Sequence, residues 1–162
     1  FIFIQNESLL SKFSRLQWNI VEQEKIVKAG REIFNIPSLE FYSSIEECFE
    51  DNSINTVLLS SSLHYIENPF SLLDSLADTS TDYLIILNSP FTEGNESLIM
   101  KQVVPESIYK TSYPINIFSE KEFISKIKGK WEIIFGLPGT NPDFSTKHGY
   151  PISFKGYLLK KI

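Results

Sequence analysis

Few side chains in this chain can carry reactive chemistry, because its 162 residues include only one cysteine and two histidines. His64 is the more informative histidine. It stands beside Tyr65 in TVLLSSSLHYIENP, residues 56–69, where an apolar run gives way to Ser60, Ser61 and Ser62 and then to a helix start. Imidazole is the usual base near neutral pH, and a hydroxyl nucleophile must lose its proton when it attacks. His64 therefore reads as a base or an aligning group, or else as a histidine packed into a helix surface. Small residues such as Ser60 and Ser61 let a ligand approach the backbone, although the same serines also suit a helix N-terminal turn. Glu22 and Gln23 follow another apolar run, WNIV. A carboxylate at a strand end can accept hydrogen bonds from both hydroxyls of a ribose, and the plainer reading is a solvated glutamate. Ser43 and Ser44 follow LEFY, where they would border a base-sized ligand or cap the next helix, Ser44 and Glu47 having capping-box spacing.

Other polar side chains lie further along. Gln102, Tyr109, Tyr113 and Asn116 fall in a stretch of little periodicity, the kind of segment that often carries ligand-binding groups. Of these, Gln102 and Tyr113 are candidates for substrate contact, although Tyr113-Pro114 also reads as a rigid turn packed on the core. His148 lies in a loop rich in Gly, Pro, Asn and Asp, where it is either a lid residue or a solvated one. No His/Cys/Asp/Glu cluster has metal-ligand spacing, so no metal is expected, and a single cysteine excludes a disulfide within the chain. A net charge of −5 disfavours nucleic acid as partner. No apolar run approaches the ~18 residues of a membrane span, and no signal peptide is visible, so a cytoplasmic location is the default. Thirteen Phe and seven Tyr are many for this length, and core packing is their first explanation.

The elements that must position these groups alternate. Apolar spacing predicts a helix over 6–16, a strand over 18–21, a helix over 24–34 and a strand over 39–42. A helix over 44–50, a strand over 55–60 and a helix opened by Asn68-Pro69 follow, the last with Phe70, Leu72, Leu73, Leu76 and Ala77 inward. The run Tyr83–Leu87 is a fourth strand. Val57, Leu58 and Leu59 are consecutive apolar residues, as in a strand buried on both faces. Four strand–helix alternations argue a parallel sheet. Beyond it, 91–95 reads as a loop, Ser119 caps a helix to Ile127, and 131–135 and 152–162 read as strands closing the sheet edge antiparallel. Strand carboxyl ends are where open α/β sheets bind ligands, so Ser60, Ser61, Ser62, His64 and Asn88 should share one rim.

This order resembles the class I, Rossmann-like S-adenosylmethionine (SAM) methyltransferases, and more narrowly a family of bacterial methyltransferases of unassigned substrate. The residues that carry the likeness are Trp18–Gln23 (WNIVEQ), Ser60–Pro69 (SSSLHYIENP), Ser112-Tyr113-Pro114 and Ile117-Phe118-Ser119. The resemblance implies strand order 3-2-1-4-5-7-6 in a single domain over 1–162. It implies SAM as cofactor, held by Glu22, Gln23, Ser43, Ser44, Ser60 and Ser61, with His64 and Tyr65 catalytic and Gln102, Tyr113 and His148 on the substrate. It implies a small-molecule acceptor, such as a sugar hydroxyl. The family's first strand ends in a Gly-rich turn, yet no glycine precedes Gly30 here. The expectation is therefore an N-terminally truncated domain whose first strand is absent or replaced, by rearrangement of Phe1–Ile4 or by a second copy in a homodimer. The alternative is a non-catalytic binding module with an incomplete cofactor site.

Overall fold

The computed structural model describes residues 2–140, 144–145 and 149–162. The chain forms two compact units, Phe1–Ser53 and Ile54–Ile162.

The first unit holds helices α1 (Ile2–Gln5), α2 (Glu7–Leu10), α3 (Glu24–Ile33) and α4 (Ile45–Asp51), with strands β1 (Trp18–Val21) and β2 (Leu39–Tyr42). β1 and β2 pair in parallel, Trp18 opposite Leu39 through Val21 opposite Tyr42, as a two-stranded sheet. The helix expected over 6–16 is confined to one turn, and over residues 2–4 the replacement strand does not form, since Ile2–Gln5 is helical. Phe3 instead turns inward, its ring edge-on to Trp18 at 5.7 Å, and joins Val27, Leu39 and Phe41 in the core. Gly30, an odd residue for mid-helix, sits where α3 approaches β2. A Cβ there would lie 2.4 Å from the Phe41 ring.

The second unit holds β3 (Thr56–Ser60), a 3-10 turn (Leu63–Tyr65), α5 (Pro69–Ala77), β4 (Tyr83–Thr92), β5 (Leu98–Val103) and β6 (Ser112–Ser119). Helix α6 (Glu120–Ile127), β7 (Trp131–Pro138), β8 (Phe144–Ser145) and β9 (Pro151–Lys161) complete it. β4 is the spine. β3 pairs with it in parallel over Tyr83–Leu87, β6 in parallel at Phe91 and Thr92, and β9 antiparallel along its other edge; β7 then pairs antiparallel with β9. The order β3-β4-β9-β7 matches the 4-5-7-6 half of the order implied by the resemblance, and β2-β1 matches its 3-2 portion. Among the described residues no strand pairs with the second edge of β1 or of β3. Val57, Leu58 and Leu59, expected to be buried on both faces, are half-buried because β3 has one neighbour.

The second half departs most from the sequence reading. The loop expected from Phe91 is the end of β4, and the aperiodic segment contains the β5–β6 hairpin, Leu98 opposite Ile117 and Gln102 opposite Tyr113. Alternation is present in β5, where Leu98, Met100 and Gln102 are half-buried while Ile99, Lys101 and Val103 face out. Phe91, Phe118, Phe123 and Tyr157 meet with ring centroids 5.3–6.1 Å apart, and Phe70 lies 6.0 Å from Phe118. The aromatic excess thus fills a core. Both capping serines perform as their spacing suggests: Ser44 Oγ accepts from the Glu47 amide at 3.1 Å and Ser119 Oγ from the Glu122 amide at 3.3 Å. Each glutamate's own carboxylate goes elsewhere, Glu47 to Ser43 and Glu122 to the Ser97 amide.

Candidate functional site

In the first unit the candidate ligand groups surround the carboxyl ends of β1 and β2. The Glu22 amide donates to the Tyr42 carbonyl at 3.0 Å, extending the parallel ladder one residue past β1 and fixing where the side chain emerges. That side chain is exposed, with Oε2 accepting from the Gln23 amide at 3.2 Å. Beside it lies a cleft of about 340 Å³, inside the usual range for small-ligand pockets, whose walls include Phe3, Ile20, Ile26, Ala29 and Phe41. Glu22 is the only ionisable residue among its lining residues. Apolar walls with one carboxylate suit the nucleoside end of a cofactor, the ring on the walls and the diol on the acid. Nothing equivalent to a Gly-rich cradle for an amino-acid end occurs before Gly30.

Ser43 and Ser44 are committed to α4. Ser43 donates from its amide and hydroxyl to Glu47 Oε2, at 3.0 and 2.8 Å, and these bonds hold the Glu47 carboxyl below its ordinary pKa. Arg31 donates to the Phe41 carbonyl and lies 4.0 Å from Glu47. What the serines can offer a ligand is therefore a fixed loop backbone.

In the second unit Ser60 ends β3 opposite Leu87, and the next residue on each strand, Ser61 and Asn88, has φ near +50°. Positive φ is costly for serine and readily tolerated by asparagine. The Ser61 amide nevertheless reaches the Leu87 carbonyl at 2.9 Å, so the rim is tied down. Asn88 is further clamped to Thr140, donating through Nδ2 at 2.6 Å and accepting from the Thr140 amide at 2.7 Å.

His64 does not open a helix. It lies in the 3-10 turn, 3% exposed, and its Nδ1 is buried with no hydrogen-bond partner among the described residues. Burial lowers its pKa to about 4, so the ring is neutral at ordinary pH. Tyr65 next to it is 47% exposed. Its phenol donates to Gln102 Oε1 at 3.2 Å, and its ring meets Tyr113 edge-on at 5.4 Å. Desolvation and the neighbouring Tyr113 phenol push the Tyr65 pKa up, so it too keeps its proton. The structure thus brings His64, Tyr65, Gln102 and Tyr113 together, the last two as cross-strand partners. Asn116 completes the group: its Nδ2 donates to the His64 carbonyl at 3.2 Å and to the Ile66 carbonyl at 2.8 Å. A polar residue between Ile115 and Ile117 was the signal for it. His148 lies outside the described residues. Among the described residues no group of His, Cys, Asp and Glu has the geometry to hold a metal ion, and no helix is long and apolar enough to cross a membrane.

No protein-family model matches the sequence, and no curated protein sequence matches it. Solved structures do match. A SAM-dependent methyltransferase from Methanosarcina mazei aligns with a TM-score of 0.61 at 15% identity, over 97% of this chain and 86% of that one. A SAM-dependent methyltransferase from Clostridium acetobutylicum aligns at 0.47 and 15% identity, over 96% and 78%. The glycopeptide N-methyltransferase MtfA, solved with SAM, aligns at 0.49 and 11% identity, over 89% and 76%. The chain has the Rossmann-like α/β fold of the class I SAM-dependent methyltransferases.

Proposed function

We propose that this fold binds SAM and supports methyl transfer to a small acceptor, through an oxygen such as a sugar hydroxyl. The observation that carries the reading is the Glu22 cleft: a lone carboxylate at the carboxyl end of a parallel strand, beside apolar walls of nucleoside size. Glu22 would hold the ribose, with Gln23 beside it. The loop at Ser43 and Ser44 would border the adenine. Bound SAM supplies an electrophilic methyl group on a sulfonium. What this chain adds on the acceptor side is alignment, which supplies a large share of the rate in an in-line displacement. Tyr65, Gln102 and Tyr113 present neutral hydrogen-bonding groups, and the buried neutral His64 sets the turn that carries Tyr65; His148 is a further candidate for the acceptor. A ring with a pKa near 4 is a poor base at pH 7, so His64 acts here as an aligning group.

Calorimetric titration with S-adenosylhomocysteine tests the cofactor half. Binding should weaken at least about tenfold in Glu22→Ala, the loss of roughly 1.4 kcal/mol or more expected for hydrogen bonds to a charged group. Absence of heat with the unaltered protein would overturn the reading.

A further inference from the structure

We propose that Tyr65, Gln102 and Tyr113 form a subsite selective for an uncharged, hydroxyl-bearing ring, and that Asn116 is the positioning residue that keeps it in shape. The inference deepens the acceptor reading above and rests on it.

The argument begins with shape. Tyr65 and Tyr113 meet edge to face, centroids 5.4 Å apart at an interplanar angle of 82°, so the two rings stand across each other as a corner and not as a stack. Tyr65 is half-exposed and so offers ring surface to a ligand. A tyrosine pairs an apolar body with a polar tip, which matches a ring that has C–H faces and hydroxyl edges. Gln102 stands at the end of the hairpin's inner row, beyond Leu98–Ile117 and Met100–Ile115, where apolar partners give way to polar ones. Its Oε1 is taken by the Tyr65 phenol. Its Nε2 donors have no acceptor among the described residues and suit a ligand hydroxyl.

Charge narrows the class. The groups that act on the Tyr65 phenol are Tyr113, Gln102 and Tyr109, two phenols and an amide with no lysine, arginine or carboxylate among them. Lys101 adjoins Gln102 but alternation sends it to the other side of β5, and Lys110 pairs with Glu106 at 3.7 Å. A phosphate or carboxylate entering this corner would lose water without gaining a cation among the described residues. A neutral ring meets no such cost.

Preorganisation is the role of Asn116. Its two hydrogen bonds hold the carbonyls on either side of Tyr65, one at His64 and one at Ile66. The turn is thereby fixed to β6, and a ligand need not order it on arrival.

The test uses the unaltered chain and paired probes that share one ring: methyl glucoside, and glucose 6-phosphate. Amide chemical shifts at 63–66, 101–103, 112, 113, 115 and 116 are followed by NMR. The neutral probe should shift them and bind at least about tenfold more tightly than the phosphorylated one. Gln102→Leu should weaken the neutral probe by about tenfold or more. Asn116→Ala should weaken it severalfold while amides of β4 and β9 stay in place, which separates loss of positioning from loss of fold. Equal or tighter binding of the phosphorylated probe, or no shift with either, overturns the proposal. The S-adenosylhomocysteine titration keeps the two readings apart. Heat there without a sugar response defeats the subsite alone. A sugar response without that heat keeps the subsite and removes methyl transfer.

Discussion

Single residues carry the clearest expectations. His64 was legible as a chemically capable side chain, but nothing local to SSLHY says that its ring is buried, with no partner for Nδ1 among the described residues. Its depressed pKa has a consequence for stability. The folded state binds a proton less readily than the unfolded chain, so between pH 6.5 and about 4 the unfolded state holds more protons and stability falls as pH is lowered. His64→Gln should flatten that part of the stability-against-pH curve, measured by urea unfolding, and NMR titration of the wild-type ring should show a midpoint well below 6. A midpoint near 6.5 would show the ring to be solvated. Glu120 behaves in the same sense for a different reason. It accepts from Lys155 at 2.7 Å and from the Tyr157 phenol, and these partners outweigh desolvation to hold its carboxyl below the ordinary value. The contribution is present above the usual carboxylate range and is lost as pH falls through the lowered pKa. Glu120→Ala should cost about 1–3 kcal/mol at pH 7 and less near pH 3, read from thermal unfolding at both.

Helices and strands raise questions that side-chain type alone does not answer. Gly30 looked like a weakness in α3, since glycine in a helix interior costs roughly 1 kcal/mol relative to alanine. Contact explains it: the helix lies so close to β2 that an added methyl would collide with the buried Phe41 ring. Gly30→Ala should therefore destabilise by about 1–3 kcal/mol through overpacking, against the helix-propensity trend. A rise in melting temperature would show that the ring moves aside freely. The β5–β6 hairpin was hidden for a different reason. Its outward row carries the exposed apolar residues Ile99 and Val103 in β5 and Pro114 in β6, which blur a period-2 pattern that the register keeps throughout. Caps were readable because their bonds are local, three residues apart in both α4 and α6.

The whole molecule sets the limits of local reading. Each unit has its own apolar core, but their sheets differ in support: among the described residues β1 and β2 have one neighbour each, while β4 and β9 lie between neighbours. Two-stranded sheets are marginal alone, so protection should follow this difference. Native-state hydrogen exchange should be slowest for amides of β4 and β9, such as Leu84, Ile86 and Leu159, and much faster for Ile20 and Phe41. Equal protection across both sheets would show that β1 and β2 draw on support the described strands do not provide.

Alternating apolar runs, two serine caps and a proline-opened helix sufficed to settle the α/β class and most strand positions, because such signals act over a few residues. Strand order came from the same source only through likeness to a known arrangement. Three things depended on residues far apart in sequence: burial of His64, the meeting of Tyr65 with Gln102 and Tyr113, and the half-exposure of an apolar strand. Burial and contact are properties of neighbours, and neighbours 37 or 52 positions away, as for Tyr65–Gln102 and His64–Asn116, exist only once the chain has folded.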